Sequence, residues 1–419
     1  MRICLIGYRG NPYSGGQGIY IYHLSRELAR LGHEVDVIVG PPYPRPLEEW
    51  ARVYRVPNLN LWGRYQGEWL PEQNPFSLLK PWNLFDFAAT RLRFFPEPLS
   101  FSFRALVELQ KILKHRRYDI LHDIQTLGYG MLAMRALGIP MVTTVHHPLT
   151  IDQREAFDRD RTLNEYYHTS VFFPVRMQRR VIRRLDHVIT ASTAGREAIE
   201  QDFKVNPERI SIVPNGLDTE FFQNTGEPRQ ANTLLFVGNT DDVKKGAIFA
   251  VKALLHLPKE VTLRIVDEPY PIKTLLWQQV EKLGLVDRVT FTGRLSDEAL
   301  RKEYSSCTLL VQPSLYEGFG LPAAEALACG TPVVATDVGA VGEVVSPDVG
   351  VLVAPGSPET LAKGIRDLLD DAPRREALSE NSRERMVRYF SWPTTAWNTA
   401  AVYRRVLEES RAGSRRGAA

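Results

Sequence analysis

The chain has 419 residues, of which 44% are hydrophobic and 24% charged, and a formal net charge of +3. That length holds two or more domains with cores of their own, and the near balance of charge argues against a nucleic-acid partner. Cys4, Cys307 and Cys329 lie in or beside apolar segments without metal-ligand spacing, so they read as core residues in a reducing compartment. The opening MRICLIG is too short for a secretion signal. No run reaches the roughly 18 apolar residues of a membrane span. A cytoplasmic protein is expected, with peripheral attachment to the inner membrane face left open.

Strands and helices alternate from the start. Residues 3–7 read as a strand, Gly15-Gly16-Gln17-Gly18 opens a helix that Gly32 ends, and 35–39 is the next strand. Further apolar strands are expected at 120–122, 141–145, 187–191 and 210–213, with helices over 130–137 and 193–201. Residues 41–104 break this rhythm. Proline and aromatic residues crowd them, Trp62, Trp69, Trp82 and Phe101 among others, and no local structure is assigned. A long irregular insertion of this kind is usually functional.

Pro214-Asn215-Gly216 marks a turn, and the alternation restarts beyond it. Strands are expected at 233–237, 262–266, 289–292 and 350–353, with helices at 246–255, 272–283 and 297–305. A last helix over about 394–409 follows Ser391-Trp392-Pro393, and 411–419 reads as a frayed tail. Short apolar strands alternating with helices predict parallel sheets covered on both faces. The fold class is therefore α/β, with two doubly wound halves expected to face each other across a substrate cleft. The boundaries are placed at 1–215, 216–390 and 391–419, the last segment returning to the first domain.

Most of the chemistry gathers in 314–345, SLYEGFGLPAAEALACGTPVVATDVGAVGEVV. An apolar strand precedes it, and Gly318-Phe319-Gly320-Leu321-Pro322 turns into a helix. Proline suits a first helical turn, and Gly330 suits the residue just past the end. A glycine loop at a helix N-terminus presents N–H groups and a positive dipole end to phosphate. Glu317 and Glu325, eight residues apart, flank that seat and can accept hydrogen bonds from hydroxyls. A ligand with both phosphates and hydroxyls is a nucleotide sugar. Lys245-Gly246 follows a strand and opens a helix, where an ammonium would neutralise a diphosphate. His146 and His147 stand just past a strand end, the side on which open parallel sheets bind ligands.

Two features read more simply. Asp158-Arg159-Asp160 lies in a charged stretch and is taken as a solvated face rather than a metal site. Along 175–185, Arg176, Arg179, Arg180, Arg183 and Arg184 share one arc of a helix whose remainder is apolar. This is a scaffold helix with its apolar face inward. The arginine face is also a candidate surface for an anionic membrane.

Glu317 and Glu325 with the intervening GFGLP resemble the E-x7-E signature of retaining GT-B glycosyltransferases, family 4 (glycosyl transferases group 1). Gly15-Gly16, Thr144-Val145-His146, Val213-Pro214-Asn215-Gly216, Gly238 through Lys245-Gly246, and Gly293-Arg294-Leu295 extend the resemblance over nearly the whole chain. It implies a GT-B fold of two Rossmann-like domains and a retaining transfer from a nucleotide-diphosphate sugar to a glycan or lipid-linked acceptor in cell-envelope polysaccharide or glycolipid synthesis. It implies no cofactor and no metal. By the same resemblance, Glu325 binds ribose hydroxyls and Glu317 lies near the donor sugar. Gly318, Phe319, Gly320 and Leu321 offer backbone N–H groups. Lys245 stabilises the departing diphosphate and Gly16 borders it, with Gly15, Gly238 and Asn239 among the substrate-binding residues. His146 contacts the donor sugar or the acceptor, and Arg294 lies near the base. The family has arginine where this chain has Asn239, so either another cation such as Lys244 replaces it or the diphosphate is held weakly. Two other readings remain: a nucleotide-sugar isomerase on the same architecture, and a non-catalytic, membrane-associated nucleotide-sugar-binding protein.

Overall fold

Strand β1 (Arg2–Gly7) is buried from its second residue onward. A strand hidden on both faces needs helices on each side, and the connections between such strands supply them. The computed structural model describes residues 1–10, 16–44, 47–60, 75–146, 148–267 and 275–417. Its contacts divide the chain into two units, Met1–Val213 with Thr395–Ala419, and Pro214–Thr394.

In the first unit β1 is followed by α1 (Gly16–Arg30), β2 (Glu34–Val39) and β3 (Ala51–Arg55). Next come α2 (Pro81–Arg91), α3 (Glu97–Ile112), β4 (Ile120–Ile124), α4 (Tyr129–Arg135) and β5 (Met141–Val145). The run α5 (Leu149–Arg159), α6 (Leu163–Phe172) and α7 (Val175–Ile182) leads to β6 (His187–Thr190), α8 (Thr193–Ala198) and β7 (Ile210–Ile212). The seven strands are ordered β3-β2-β1-β4-β5-β6-β7 and every pairing is parallel. Phe101, Leu109, Met131, Met134 and Phe203 pack over one face of this sheet.

The second unit repeats the plan. It runs through β8 (Thr233–Val237), α9 (Ala247–Ala253), β9 (Thr262–Val266), α10 (Leu275–Lys282), β10 (Val289–Phe291) and α11 (Asp297–Ser306). It continues with β11 (Leu309–Gln312), α12 (Leu321–Ala328), β12 (Val333–Thr336), α13 (Val341–Val344), β13 (Gly350–Val353), α14 (Pro358–Leu369) and α15 (Ala372–Tyr389). The six strands are ordered β10-β9-β8-β11-β12-β13, again all parallel. The last helix, α16 (Trp392–Gly417), starts in the second unit and belongs to the first from Thr395 on.

Two expectations need correction. The segment 41–104 is not one irregular insertion: it carries the edge strand β3, the 3₁₀ turn Pro75–Leu79, α2 and the first half of α3. Strand β3 hides little of itself, only Ala51 being buried, so its apolar signal is faint. Helix α2 opens on Pro81 and holds Asn83, Asp86 and Thr90, poor helix formers that tertiary packing overrides. Trp62 and Trp69 lie outside the described residues. The tail also differs, since α16 continues through the stretch expected to fray. Among the described residues no helix is long and apolar enough to cross a membrane.

Gly246, which caps α9, has φ +67°, and a Cβ built on it stands 2.0 Å from the Pro313 carbonyl oxygen. Gly246→Ala therefore adds left-handed strain to a backbone clash and should lower unfolding stability by about 2–4 kcal/mol. Denaturant titration measures this; a variant as stable as the parent contradicts the packing described.

Candidate functional site

Each sheet reverses its strand order at one place. In the second unit this is the β8–β11 pair, and in the first it is β1–β4. At such a point the connections leaving neighbouring strands run to opposite faces, so the loops beyond the strand ends part and leave room for a ligand. Most of the predicted residues lie on loops at or beside these two places, which are described separately; Arg294 does not.

In the second unit, the loop after β8 holds Gly238, Asn239, Lys244 and Lys245, and the loop after β11 holds Glu317 through Leu321. The Leu315 N–H donates to the Lys244 carbonyl at 2.7 Å and ties the loops together. Lys245 Nζ stands 2.8 Å from Glu317 Oε1, and Ser314 Oγ donates to the same oxygen at 3.2 Å. Glu317 is buried. The carbonyl of Glu317 leaves no space for a side chain at Gly339, where a Cβ would stand 1.9 Å from it.

Helix α12 starts at Gly320, whose φ of +89° suits glycine. Gln312, at the end of β11, accepts the Ala323 N–H on Oε1 at 3.0 Å and so occupies one amide of the first turn. Among the described residues, the amides of Gly318, Phe319, Gly320 and Leu321 have no hydrogen-bond partner. A Cβ on Gly318 would meet nothing within 4 Å. Four N–H groups at an open helix N-terminus form an anion seat. One turn into the helix, Glu325 Oε2 accepts from the hydroxyl of the fully buried Tyr304 at 2.7 Å. Desolvation pushes the Glu325 pKa up to about 7; the Tyr304 hydrogen bond works against this and the Asp297 charge adds to it.

Gly238 lies beside the Lys245 stem, with a built Cβ 3.7 Å from Lys245 Cγ. Asn239 Oδ1 accepts the Asp241 N–H at 2.8 Å and shapes the turn. Lys244 Nζ sits 6.0 Å from the centre of the Tyr316 ring, so a second cation adjoins the loop that carries Glu317. Arg294 is exposed in the loop after β10, at the far edge of the sheet from β13.

In the first unit, Gly15 and His147 lie outside the described residues. Gly16 is the first residue of α1, with open space where a Cβ would point. Tyr20, one turn along, meets the His146 ring edge to face at a centroid distance of 4.5 Å. The His146 N–H donates to Gln125 Oε1 at 2.8 Å. Gln125 itself has φ +53° and Leu127 has φ +48°, values that non-glycine residues seldom adopt. Buried Asp123 holds this turn, accepting from the N–H groups of Thr126 and Leu127 and from the Thr143 hydroxyl. Burial pushes the Asp123 pKa up to about 6.

Sequence reasoning missed Tyr20, Gln125, Ser314, Gln312 and Tyr304. Their signal was position: each sits on, or one connection from, a strand at the order reversal. Asp158 and Asp160 end α5, and among the described residues no cluster of ligating side chains forms a metal site. On α7, Val175, Met177, Val181 and Ile182 are buried, while Arg176, Arg179 and Arg180 on the helix and Arg183 and Arg184 just past it are exposed. Arg180 donates to the Tyr129 hydroxyl, Arg183 to the Phe203 carbonyl and Arg184 to the Arg180 carbonyl.

Because the Glu325 pKa lies above its usual 4.5, the folded state binds a proton more tightly than the unfolded chain. Its contribution is therefore complete below about pH 4.5 and is lost as pH rises through about 7. Glu325→Gln removes this dependence, so over that window the variant should gain stability relative to the parent as pH rises. Thermal melts at stepped pH measure the difference; a constant offset contradicts the raised pKa.

Residues 218–385 match the family described as glycosyl transferases group 1, and residues 14–221 match glycosyltransferase family 4. The chain is 38% identical to an MMP α-(1→4)-mannosyltransferase of Mycolicibacterium hassiacum, over 97% of this chain and 98% of the relative. A D-inositol 3-phosphate glycosyltransferase of Thermobispora bispora is 27% identical, with 95% and 92% covered. A sucrose-phosphate synthase structure from Thermosynechococcus elongatus aligns with a TM-score of 0.71 at 23% identity, over 97% of this chain and 99% of that one. With its two parallel-sheet units and matches along both of them, the chain belongs to glycosyltransferase family 4 and is a glycosyltransferase of the GT-B fold.

Proposed function

We propose that this enzyme is a retaining hexosyltransferase that moves a sugar from a nucleotide-diphosphate donor to a glycan acceptor. The observation that carries the reading is the Lys245–Glu317 pair beside four unpartnered amides at the start of α12. A diphosphate there meets a cation and a dipole end, and the carboxylates on either side suit hydroxyls of the sugar and the ribose.

In the proposed reaction the acceptor oxygen forms a bond to the anomeric carbon on the face that the diphosphate leaves. The bond from that carbon to the phosphate oxygen breaks. The acceptor's proton passes to the departing phosphate, so no protein nucleophile is required. Glu317 and Glu325 hold hydroxyls and do not act as a hydrolase pair. Lys245 balances the charge that grows on the leaving oxygen. To do so it must exchange Glu317 for phosphate. His146, fixed by Gln125 and Tyr20, contacts the donor sugar.

The Mycolicibacterium hassiacum relative is named for mannosyl transfer in an α-(1→4) bond. Mannose is therefore the first sugar to test and an oligosaccharide the first acceptor class. Envelope polysaccharide or glycolipid synthesis is the proposed setting.

A thermal-shift screen of nucleoside diphosphates and their sugars identifies the donor, since a bound ligand raises apparent stability by mass action. Product analysis by NMR should show the donor's anomeric configuration kept; an inverted product refutes the retaining assignment. Donor consumption without acceptor, giving a rearranged nucleotide sugar, favours an isomerase instead. Lys245→Ala should lower turnover at saturating donor by about 10²–10³-fold, and unchanged turnover removes its role. Donor affinity should fall as pH drops below about 7, because protonated Glu325 cannot accept from both ribose hydroxyls. Calorimetry of donor binding at pH 6 and 8 tests this, with Glu325→Gln expected to bind weakly and without the pH dependence.

A further inference from the structure

A line of buried hydrogen bonds crosses the first unit from its last helix. Tyr403, on α16, is fully buried, and its hydroxyl lies 2.5 Å from His122 Nδ1. His122, on β4, is also fully buried, with Nε2 at 2.7 Å from Thr144 Oγ1 on β5. Thr144 Oγ1 is 3.4 Å from the Tyr20 hydroxyl on α1. Tyr20 in turn packs edge to face on His146. The line therefore joins the C-terminal helix to the histidine placed at the donor sugar.

The direction of the bonds can be assigned. A buried phenol must give its proton away, and among the described residues the Tyr403 hydroxyl has only His122 Nδ1 to receive it. Nδ1 is then the acceptor and carries no proton. In a neutral ring the proton must sit on Nε2, which donates to Thr144. The Thr144 hydroxyl, with Nε2 donating to it, also meets the Tyr20 hydroxyl. Burial, helped by the nearby His146 charge, pushes the His122 pKa down to about 3, consistent with the neutral ring. Removing the Tyr403 proton leaves His122 without a reason to keep this tautomer.

We propose that Tyr403, His122, Thr144 and Tyr20 are positioning residues through which the C-terminal helix sets the orientation of the His146 ring. The proposal rests on the reading that His146 meets the donor sugar. The Gln125 contact fixes the backbone of His146, and the Tyr20 edge fixes its ring, so the two devices act on different bonds. A small rotation of a ring that touches a substrate is enough to slow a reaction strongly.

The test compares Tyr403→Phe and Thr144→Val, which break the line, with Thr144→Ser, which keeps the hydroxyl. Val406→Ala serves as control, because Val406 is buried on the same helix and outside the line. In the full-length protein with labelled histidine and no substrate, the NMR ring signals of His146 are expected to move in Tyr403→Phe and Thr144→Val. They should stay in place in Thr144→Ser and Val406→Ala. Turnover should fall about ten-fold in the first two with the donor KM within about two-fold, while Val406→Ala loses stability alone. Unmoved His146 signals in both breaking variants, or an equal movement in Val406→Ala, overturn the proposal. His146→Ala separates the two readings. If that variant keeps the parent's turnover, the role of His146 at the sugar fails, while the NMR result still decides whether the line orients the ring.

Discussion

Parallel pairing is the constraint on which this structure depends. Two parallel neighbours cannot be joined by a tight turn, so each strand must be followed by a crossover that covers the sheet. When the order of strands reverses, successive crossovers go to opposite faces, and the loops at that point are the only ones not drawn over the sheet's edge. In the second unit Lys245 and Glu317 sit on the two loops at that point. The Lys245 loop and the Glu317 loop meet for the same reason: β8 and β11 are neighbours in space although three helices and two strands separate them in sequence.

Around that geometry the local residues hold strained or costly states. Gly246, Gly320 and Gly339 adopt positive φ so that two loops and a helix start can come within hydrogen-bonding distance. Glu317 pairs with Lys245, whereas Glu325 sits where burial disfavours its charge. Asp123 and the left-handed residues Gln125 and Leu127 show a comparable arrangement in the first unit, where backbone strain is held by a buried carboxyl.

Much of this was legible in the chain. The glycine loop with its following proline marked the start of α12, and apolar runs such as those of β5, β8 and β9 were visible at their observed limits. Burial on both faces makes β5 and β8 stand out in composition. The signal failed where burial is partial or packing overrides propensity, as in β3 and α2. It failed also for residues whose importance is relational: His122 and Tyr403 are separated by 281 positions, and nothing in either neighbourhood announces the other. Asn239 was legible as a departure from the family's arginine, but its use in shaping a turn required the coordinates.

Helix α16 has a consequence for how the protein is made. The first unit comprises residues from both ends of the chain, and its buried hydrogen bonds include partners on β4 and α16. During synthesis the whole second unit must emerge before Tyr403 is available to His122. Until then the first unit carries an uncovered imidazole and the apolar bed that Ala396, Ala400 and Val406 later fill. The earlier unit thus waits for a strap that is translated after the later one, and such a long-range closure slows folding.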